Sequence, residues 1–143
     1  MAVALVDSNI LIDYKDSSPG TRHRRAEEIV YAIDGGDLPT ARVTNYVLLE
    51  ALNWIHERQR HDIAVDLQNR LTTSAGFELV HCAQKDGTNA VELFETHENL
   101  SFGDATIAAY MKRTGIEYLY SFDDDFDEIE DIIRLDTADN PFS

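Results

Sequence analysis

The sequence predicts an α/β fold, a single domain whose central parallel β-sheet is flanked by helices on both faces. One indication is a run of consecutive apolar residues at positions 2–6, which lacks the polar alternation of a half-exposed strand. A second indication is that such short runs alternate with longer segments whose apolar residues recur at helical spacing. Alternating strands and helices form right-handed βαβ units, in which the strands are parallel.

Turn and capping residues divide the chain into the predicted elements. Ser18 and Pro19 signal the start of the first helix, and Gly35 and Gly36 signal its end. The following elements are then predicted in chain order: a strand at 41–43, a helix capped by Thr44 or Asn45, a helix at 61–74, a strand at 77–80, a helix capped by Asp86, a helix capped by Ser101 and ended by Gly115, and strands at 116–120 and 132–135.

The length of 143 residues is that of one ordinary domain. We expect residues 1–136 to form this domain and residues 137–143 to form a frayed polar tail. The single cysteine, Cys82, excludes an intramolecular disulfide and favours a cytoplasmic location. The sequence has no recognisable signal peptide and no apolar run of membrane-spanning length, so no membrane association is expected.

The charge balance is strongly acidic, with 27 acidic and 12 basic residues and a formal net charge of −15. Such a surface repels itself at low ionic strength, and dispersed acids of this kind keep halophilic proteins soluble in concentrated salt. The composition therefore favours a salt-rich cytoplasm as a hypothesis. An ordinary acidic protein remains the alternative.

Two acids are predicted at the ends of strands. Asp7 directly follows the first strand, and Asp123 follows the strand at 116–120 after two residues. In open parallel sheets, ligands bind beyond the carboxyl ends of the strands, at the point where the strand order reverses. Asp7 and Asp123 are therefore candidate ligand-binding residues.

Two further acids lie on the apolar sides of predicted helices. Asp104 begins a stripe with Ile107 and Met111, and Glu50 lies between Val47 and Trp54. A carboxylate facing the core is unfavourable unless it is paired, protonated or bound to a metal. The alternatives are that Asp104 stabilises the helix dipole and that Glu50 is a solvated residue at the edge of its stripe.

Together these four acids indicate a metal site. Clustered carboxylates take up protons or hold a divalent cation, and ligation by oxygen alone favours Mg²⁺ or Mn²⁺ over zinc. A metal held in this way can activate water and stabilise a phosphoryl oxygen, which is the chemistry of phosphodiester hydrolysis. The five histidines have no HExxH or other ligand spacing, so zinc catalysis is not supported.

The sequence resembles the PIN-domain family and, within it, the VapC-like toxin ribonucleases. The resemblance is carried in order by residues 5–9, 47–51, 100–105 and 120–126, which read LVDSN, VLLEA, LSFGDA and YSFDDDF. It implies a Mg²⁺- or Mn²⁺-dependent endoribonuclease that acts as the toxin of a type II toxin–antitoxin pair. It further implies a homodimer, an RNA substrate and a small antitoxin partner.

The resemblance also assigns roles to individual residues. It implies that Asp7, Glu50, Asp104 and Asp123 are the catalytic, metal-binding acids and that Asn9 and Ser121 support them. Asp125, which precedes a phenylalanine as a second acid of the family often does, is a further candidate ligand. The alternative is that Asp124 and Asp125 belong to a solvated acidic turn.

The most concentrated group of basic residues lies at positions 22–25, where Arg22, Arg24 and Arg25 are candidate contacts for RNA phosphates. The alternative is a solvated helix face on which Arg24 pairs with Glu28.

Two other functions would also place acids at strand ends. An RNA-maturation nuclease with a PIN domain would use the same acids. A receiver-type, Mg²⁺-binding signalling domain is disfavoured because Asp7 is followed by Ser8 and Asn9 rather than by an adjacent acid, and because Lys112 falls within a helix.

Overall fold

The structure, a computed structural model, describes residues 2–143 and contains five parallel β-strands. The strands are β1 (Val3–Val6), β2 (Thr40–Thr44), β3 (Phe77–Val80), β4 (Tyr118–Tyr120) and β5 (Ile133–Leu135). They form one sheet in the order β3-β2-β1-β4-β5. Every residue of the central strand β1 is buried, which explains why its sequence lacks polar alternation.

Six α-helices connect the strands. They are α1 (Ser8–Lys15), α2 (His23–Asp34), α3 (Asn45–Arg58), α4 (His61–Thr73), α5 (Gln84–Thr96) and α6 (Phe102–Thr114). The chain moves outward from β1 through β2 to β3 and then returns to β4 on the other side of β1. Right-handed crossovers therefore place α1 to α4 on one face of the sheet and α5 and α6 on the other. The predicted fold class is confirmed.

The strand order reverses around β1, because its two neighbours are β2 and β4 and the chain leaves it in one direction and returns in the other. This reversal opens a crevice at the carboxyl ends of β1 and β4. Asp7 is the residue after β1, and Ser121 is the residue after β4. A short 3-10 helix over Asp124–Glu128 follows Asp123 and leads toward β5.

Several predicted helix ends are confirmed. The Thr44 hydroxyl caps α3 by accepting a 3.2 Å hydrogen bond from the Val47 amide. The Ser101 hydroxyl caps α6 by accepting a 3.1 Å bond from the Asp104 amide. Gly115 ends α6 with a φ of 72°, a left-handed conformation that suits glycine.

Two features near the start of the chain were not predicted correctly: one helix was missed, and the start of the next was placed too early. Helix α1 was not predicted, because its N-cap is Asp7 itself and its polar residues interrupt the helical pattern. Ser18 and Pro19 lie in a turn, and α2 begins later, at His23.

The prediction that Asp86 caps α5 is confirmed only in part, because its carboxylate caps the helix from the first turn and not from the N-cap position. The N-cap of α5 is Ala83, and Asp86 lies in the first turn, where it accepts a bond from the Ala83 amide at 2.8 Å. The Asp86 side chain is buried and forms an ion pair with Arg113 at 2.6 Å. Asp86 thus combines a local capping bond with a long-range ion pair, and the sequence could not show the second.

The segment that the composition predicts as a polar tail contacts the domain at three places. The Tyr120 hydroxyl donates to the Asp139 carbonyl at 2.7 Å, and the Asn140 side chain donates to the Asp37 carbonyl at 2.9 Å. The Phe142 ring lies edge-on to the Tyr118 ring at 5.1 Å. Within residues 2–143, no helix is both long enough and apolar enough to cross a bilayer.

Gly76 lies where α2 passes the turn before β3, and it offers a test of this packing. A Cβ atom at Gly76 would lie 2.1 Å from the Ile33 carbonyl oxygen, a contact that the backbone must move to relieve. We expect Gly76→Ala to lower the free energy of unfolding by about 3 kcal/mol in urea denaturation. Gly87→Ala is the control, because a Cβ there meets open space within α5 and should stabilise the protein by about 0.5–1 kcal/mol. Equal stability of the two variants would contradict this packing.

Candidate metal and active site

Asp7 lies at the centre of the candidate site. Its amide extends the sheet by donating to the Tyr120 carbonyl at 3.0 Å, and the residue is only 3% exposed. The carboxylate accepts bonds from the Ser8 amide and the Ser121 hydroxyl, both at 2.7 Å, and from the Asn9 side chain at 3.1 Å. Three donors thus fix the orientation of this carboxylate.

Burial has the largest effect on the pKa of Asp7. Loss of solvent raises the pKa of Asp7 from 3.8 to about 6, although the bonds from Ser121 and Ser8 oppose this rise. The negative charges of Glu50 and Asp123 raise this pKa further. The surroundings of Asp7 therefore disfavour the ionised form of its carboxylate.

Ser121 and Asn9 join the ends of β1 and β4. The Ser121 hydroxyl donates to Asp7 and accepts from the Asp123 amide at 3.0 Å. The Asn9 side chain donates to Asp7, and its oxygen accepts from the Phe122 amide at 3.2 Å. These bonds fix the loop that carries Asp123 against Asp7, which is consistent with the supporting role expected of both residues.

Asp104 reaches the same crevice from the first turn of α6. Its pKa is raised to about 8, first by burial and then by the negative charge of Asp7 and by the hydrogen bond and charge of Asp123. The Ser101 side chain lowers this pKa in part. Asp104 is therefore electrostatically coupled to both strand-end acids.

Glu50 approaches from α3 and is exposed. The Ser8 hydroxyl donates a hydrogen bond to the Glu50 carboxylate, while the Ser8 amide binds Asp7. Gly103, at the start of α6, lies so close that a Cβ there would be 3.3 Å from a Glu50 oxygen. Ser8 was not among the predicted site residues, although a hydroxyl residue next to a strand-end acid is a signal that could have identified it.

The four acids lack basic partners. Within residues 2–143, no lysine, arginine or histidine nitrogen lies within 4.0 Å of a carboxylate oxygen of these acids. The ligands that they offer are all carboxylate oxygens, the donors that Mg²⁺ and Mn²⁺ prefer. The donor chemistry of the pocket therefore suits a hard divalent cation.

The carboxylates of the acidic run after β4, residues 123–125, lie closer together than those of the four predicted acids. Asp123, Asp124 and Asp125 can bring one carboxylate oxygen each within 4.8 Å of one another, whereas the four predicted acids do not gather so tightly within residues 2–143. The Asp125 amide donates to Asp123 at 3.0 Å, and the charge of Asp123 is the largest cause that raises the pKa of Asp125. Asp124 is exposed. The geometry thus links Asp125 to Asp123.

Arg134, in β5, anchors the loop that carries these acids. Its guanidinium donates to both carboxylate oxygens of Asp127, at 3.0 and 3.1 Å, and to the Ser121 carbonyl at 3.2 Å. One planar side chain therefore holds the loop at two points. Arg134 was not predicted from the sequence, because nothing in its local pattern distinguishes it from a solvated strand residue.

The structure separates the three arginines that the sequence groups together. The guanidinium groups of Arg22 and Arg25 each lie 5.1 Å from the centre of the Phe122 ring. Arg24 is exposed and does not form the predicted ion pair with Glu28. Arg22 and Arg25, but not Arg24, are therefore in contact with the loop that leads to Asp123.

The raised pKa of Asp7 predicts a specific pH dependence of stability in the presence of EDTA. A folded-state pKa above the ordinary value stabilises the fold below pH 3.8, and this contribution is lost as the pH rises to about 6. We expect Asp7→Asn to be more stable than the wild type at pH 7.5 by on the order of 2–3 kcal/mol in urea denaturation, with the difference shrinking toward pH 4.

Asp131→Asn, which changes an exposed acid, is the control for this measurement. It should show no comparable pH-dependent difference from the wild type. A difference for Asp7→Asn that does not change between pH 4 and 7.5 would contradict the buried, uncompensated carboxylate.

Three comparisons with known proteins bear on this geometry. Residues 4–132 match the PIN domain family. None of the curated proteins matches the chain in sequence. VapC20 from Mycobacterium tuberculosis, described as a sarcin-ricin loop cleaving toxin, has a similar structure, with a TM-score of 0.74 and 24% identity over 90% of this chain and 95% of that chain.

Two solved complexes contain chains of the same fold. A toxin–antitoxin complex from Klebsiella pneumoniae has a TM-score of 0.65 and 21% identity, covering 96% of this chain and 98% of that chain. VapBC2 from Rickettsia felis, bound to a DNA fragment from its promoter, has a TM-score of 0.70 and 14% identity, covering 93% and 97%. The match along almost the whole chain, on a parallel sheet with acids at its carboxyl edge, shows that this protein belongs to the PIN domain family.

Proposed function

We propose that this protein is a Mg²⁺- or Mn²⁺-dependent endoribonuclease that acts as the toxin of a type II toxin–antitoxin pair. The observation that carries the proposal is the buried carboxylate of Asp7, which lies among acids without a basic partner in residues 2–143 of a PIN domain. Asp7, Glu50, Asp104 and Asp123 would hold the metal, and Asp125 would assist through its contact with Asp123.

The protein's own residues prepare this pocket. Three donors fix Asp7, and Ser8 fixes Glu50 relative to Asp7. The high pKa of Asp104 means that metal binding displaces a proton near neutral pH, so metal affinity should increase with pH. When bound, Mg²⁺ or Mn²⁺ supplies a Lewis acid that activates water and stabilises negative charge on a phosphoryl oxygen.

The biological role rests on the structural relatives. One is described as a sarcin-ricin loop cleaving toxin, and another as a toxin–antitoxin complex. These descriptions support an RNA substrate and a small antitoxin partner for this chain. We also propose a homodimer and a cytoplasmic location, on the family resemblance and on the single cysteine.

The catalytic assignment is tested by cleavage of a labelled single-stranded RNA. We expect Asp7→Asn, Glu50→Gln and Asp104→Asn each to slow cleavage by about 100-fold or more, because each removes a ligand charge. Glu57→Gln, a change of an exposed glutamate on the same helix as Glu50, should cleave like the wild type. Excess EDTA should stop cleavage, and Mg²⁺ or Mn²⁺ should restore it.

Circular dichroism shows whether each variant is folded. Full activity in a folded variant removes that acid from the proposed site. Undiminished cleavage in EDTA overturns the metal dependence but leaves the fold assignment intact.

A salt-rich cytoplasm predicts how stability and cleavage respond to KCl. Counterions screen the repulsion within a chain of net charge −15, but they also weaken protein–phosphate contacts. We expect the melting temperature and the cleavage rate to rise together with KCl until folding is complete, and the rate to fall beyond that point. A melting temperature that is the same at 0.1 M and roughly 2 M KCl would overturn the halophilic proposal.

A further inference from the structure

We propose that Arg22 and Arg25, together with the Phe122 ring, form a phosphate-binding platform that holds single-stranded RNA beside the acidic pocket. We call these three residues the arginine platform. The inference rests on the proposed ribonuclease function and identifies where the substrate backbone would be held.

The start of α2 creates the platform. Arg22 is the N-cap of α2, and Arg25 lies three residues later, so both side chains are on the same side of the helix. Both guanidinium groups lie 5.1 Å from the centre of the Phe122 ring. Such contacts are favourable because the face of an aromatic ring attracts cations. Arg24, which lies between them in sequence, makes no such contact.

Phe122 connects the platform to the acidic pocket. It lies between Ser121 and Asp123 in the chain, and its side chain is buried. Its amide donates to Asn9 at 3.2 Å, and Asn9 in turn donates to Asp7. The ring therefore has a fixed position relative to the pocket, and so do the guanidinium groups that lie over it.

The guanidinium groups of the two arginines differ in their hydrogen bonds and ion pairs. Arg25 donates to the Asp136 carbonyl at 2.6 Å and forms an ion pair with the Asp136 carboxylate at 3.0 Å. The nearest acid to Arg22 is Asp13, at 4.0 Å, and the Arg22 side chain is 53% exposed. Within residues 2–143, the Arg22 guanidinium has no hydrogen bond. Its donors are therefore available to an anion.

A phosphate is the anion that best suits this position. A chain of net charge −15 repels RNA at long range, so local cations must compensate for this repulsion where the backbone approaches the acids. A guanidinium group binds phosphate oxygens through paired N–H donors, and stacking on a fixed ring orients those donors in advance. The nearly buried Phe122 ring is covered by the arginines, so it is not available to stack on a base.

The experiment compares Arg22→Gln with Arg24→Gln, which remove the same charge from neighbouring positions. Both are made in the Asp7→Asn protein, so that RNA is bound without being cleaved, and affinity for a fluorescein-labelled single-stranded RNA is measured by anisotropy over a KCl series. We expect Arg22→Gln to weaken binding about five- to tenfold and to reduce the salt slope by about 0.7. Arg24→Gln should change affinity less than twofold.

Arg22→Lys separates geometry from charge. It should keep the salt slope but bind more weakly than the parent, because lysine lacks the planar fork of donors. Thermal melting confirms that each variant is folded, and Arg22→Lys also keeps the test valid if Arg22→Gln is unstable.

Two results would overturn the platform. Equal losses in Arg22→Gln and Arg24→Gln would show a general charge effect, and unchanged RNA affinity in Arg22→Gln would mean that Arg22 serves another partner, such as an acidic protein segment. Failure of the proposed function is distinguishable, because the wild type would then cleave no RNA at all. If the wild type cleaves RNA but the two glutamine variants bind RNA with equal affinity, the platform is contradicted and the proposed function is not.

Discussion

The architecture of this protein depends on one unfavourable placement, a carboxylate buried at the end of the central strand. Asp7 caps α1, follows β1 and receives bonds from residues at the end of β4. Three donors hold it in place, yet burial still raises its pKa to about 6. Ser8, Asn9 and Ser121 therefore orient the carboxylate without neutralising it, and the remaining demand for positive charge is what a divalent cation would satisfy.

Positive charge is distributed unevenly around the acids. Among the described residues 2–143, basic side chains do not contact the acids of the pocket. They instead hold the loop at its rim, since Arg134 anchors the loop at Ser121 and Asp127 and the arginine platform covers Phe122. This separation has a physical reason. An arginine inside the pocket would pair with the acids and compete with a metal, whereas an arginine at the rim can attract a polyanion and leave the acids unpaired.

The sequence predicted those parts of the fold whose stabilising interactions are local. Apolar runs identified all five strands to within a few residues, and Thr44, Ser101 and Gly115 end or begin helices through contacts with neighbours in the chain. The prediction failed where the local signal was ambiguous. Helix α1 was missed because Asp7 is both a candidate site acid and a helix cap, and the ion pair of Asp86 was missed because its partner, Arg113, is 27 residues away.

The sequence by itself determined the fold class and nominated four acids, because strand ends and apolar helix stripes follow from spacing along the chain. Only the tertiary structure decided how those acids are supported. It showed that Ser8 links Asp7 to Glu50, that Arg134 holds the acidic loop and that Arg22 and Arg25, but not Arg24, contact Phe122. These contacts join residues from different strands and helices, and their geometry depends on how the elements pack, which spacing along one chain does not encode.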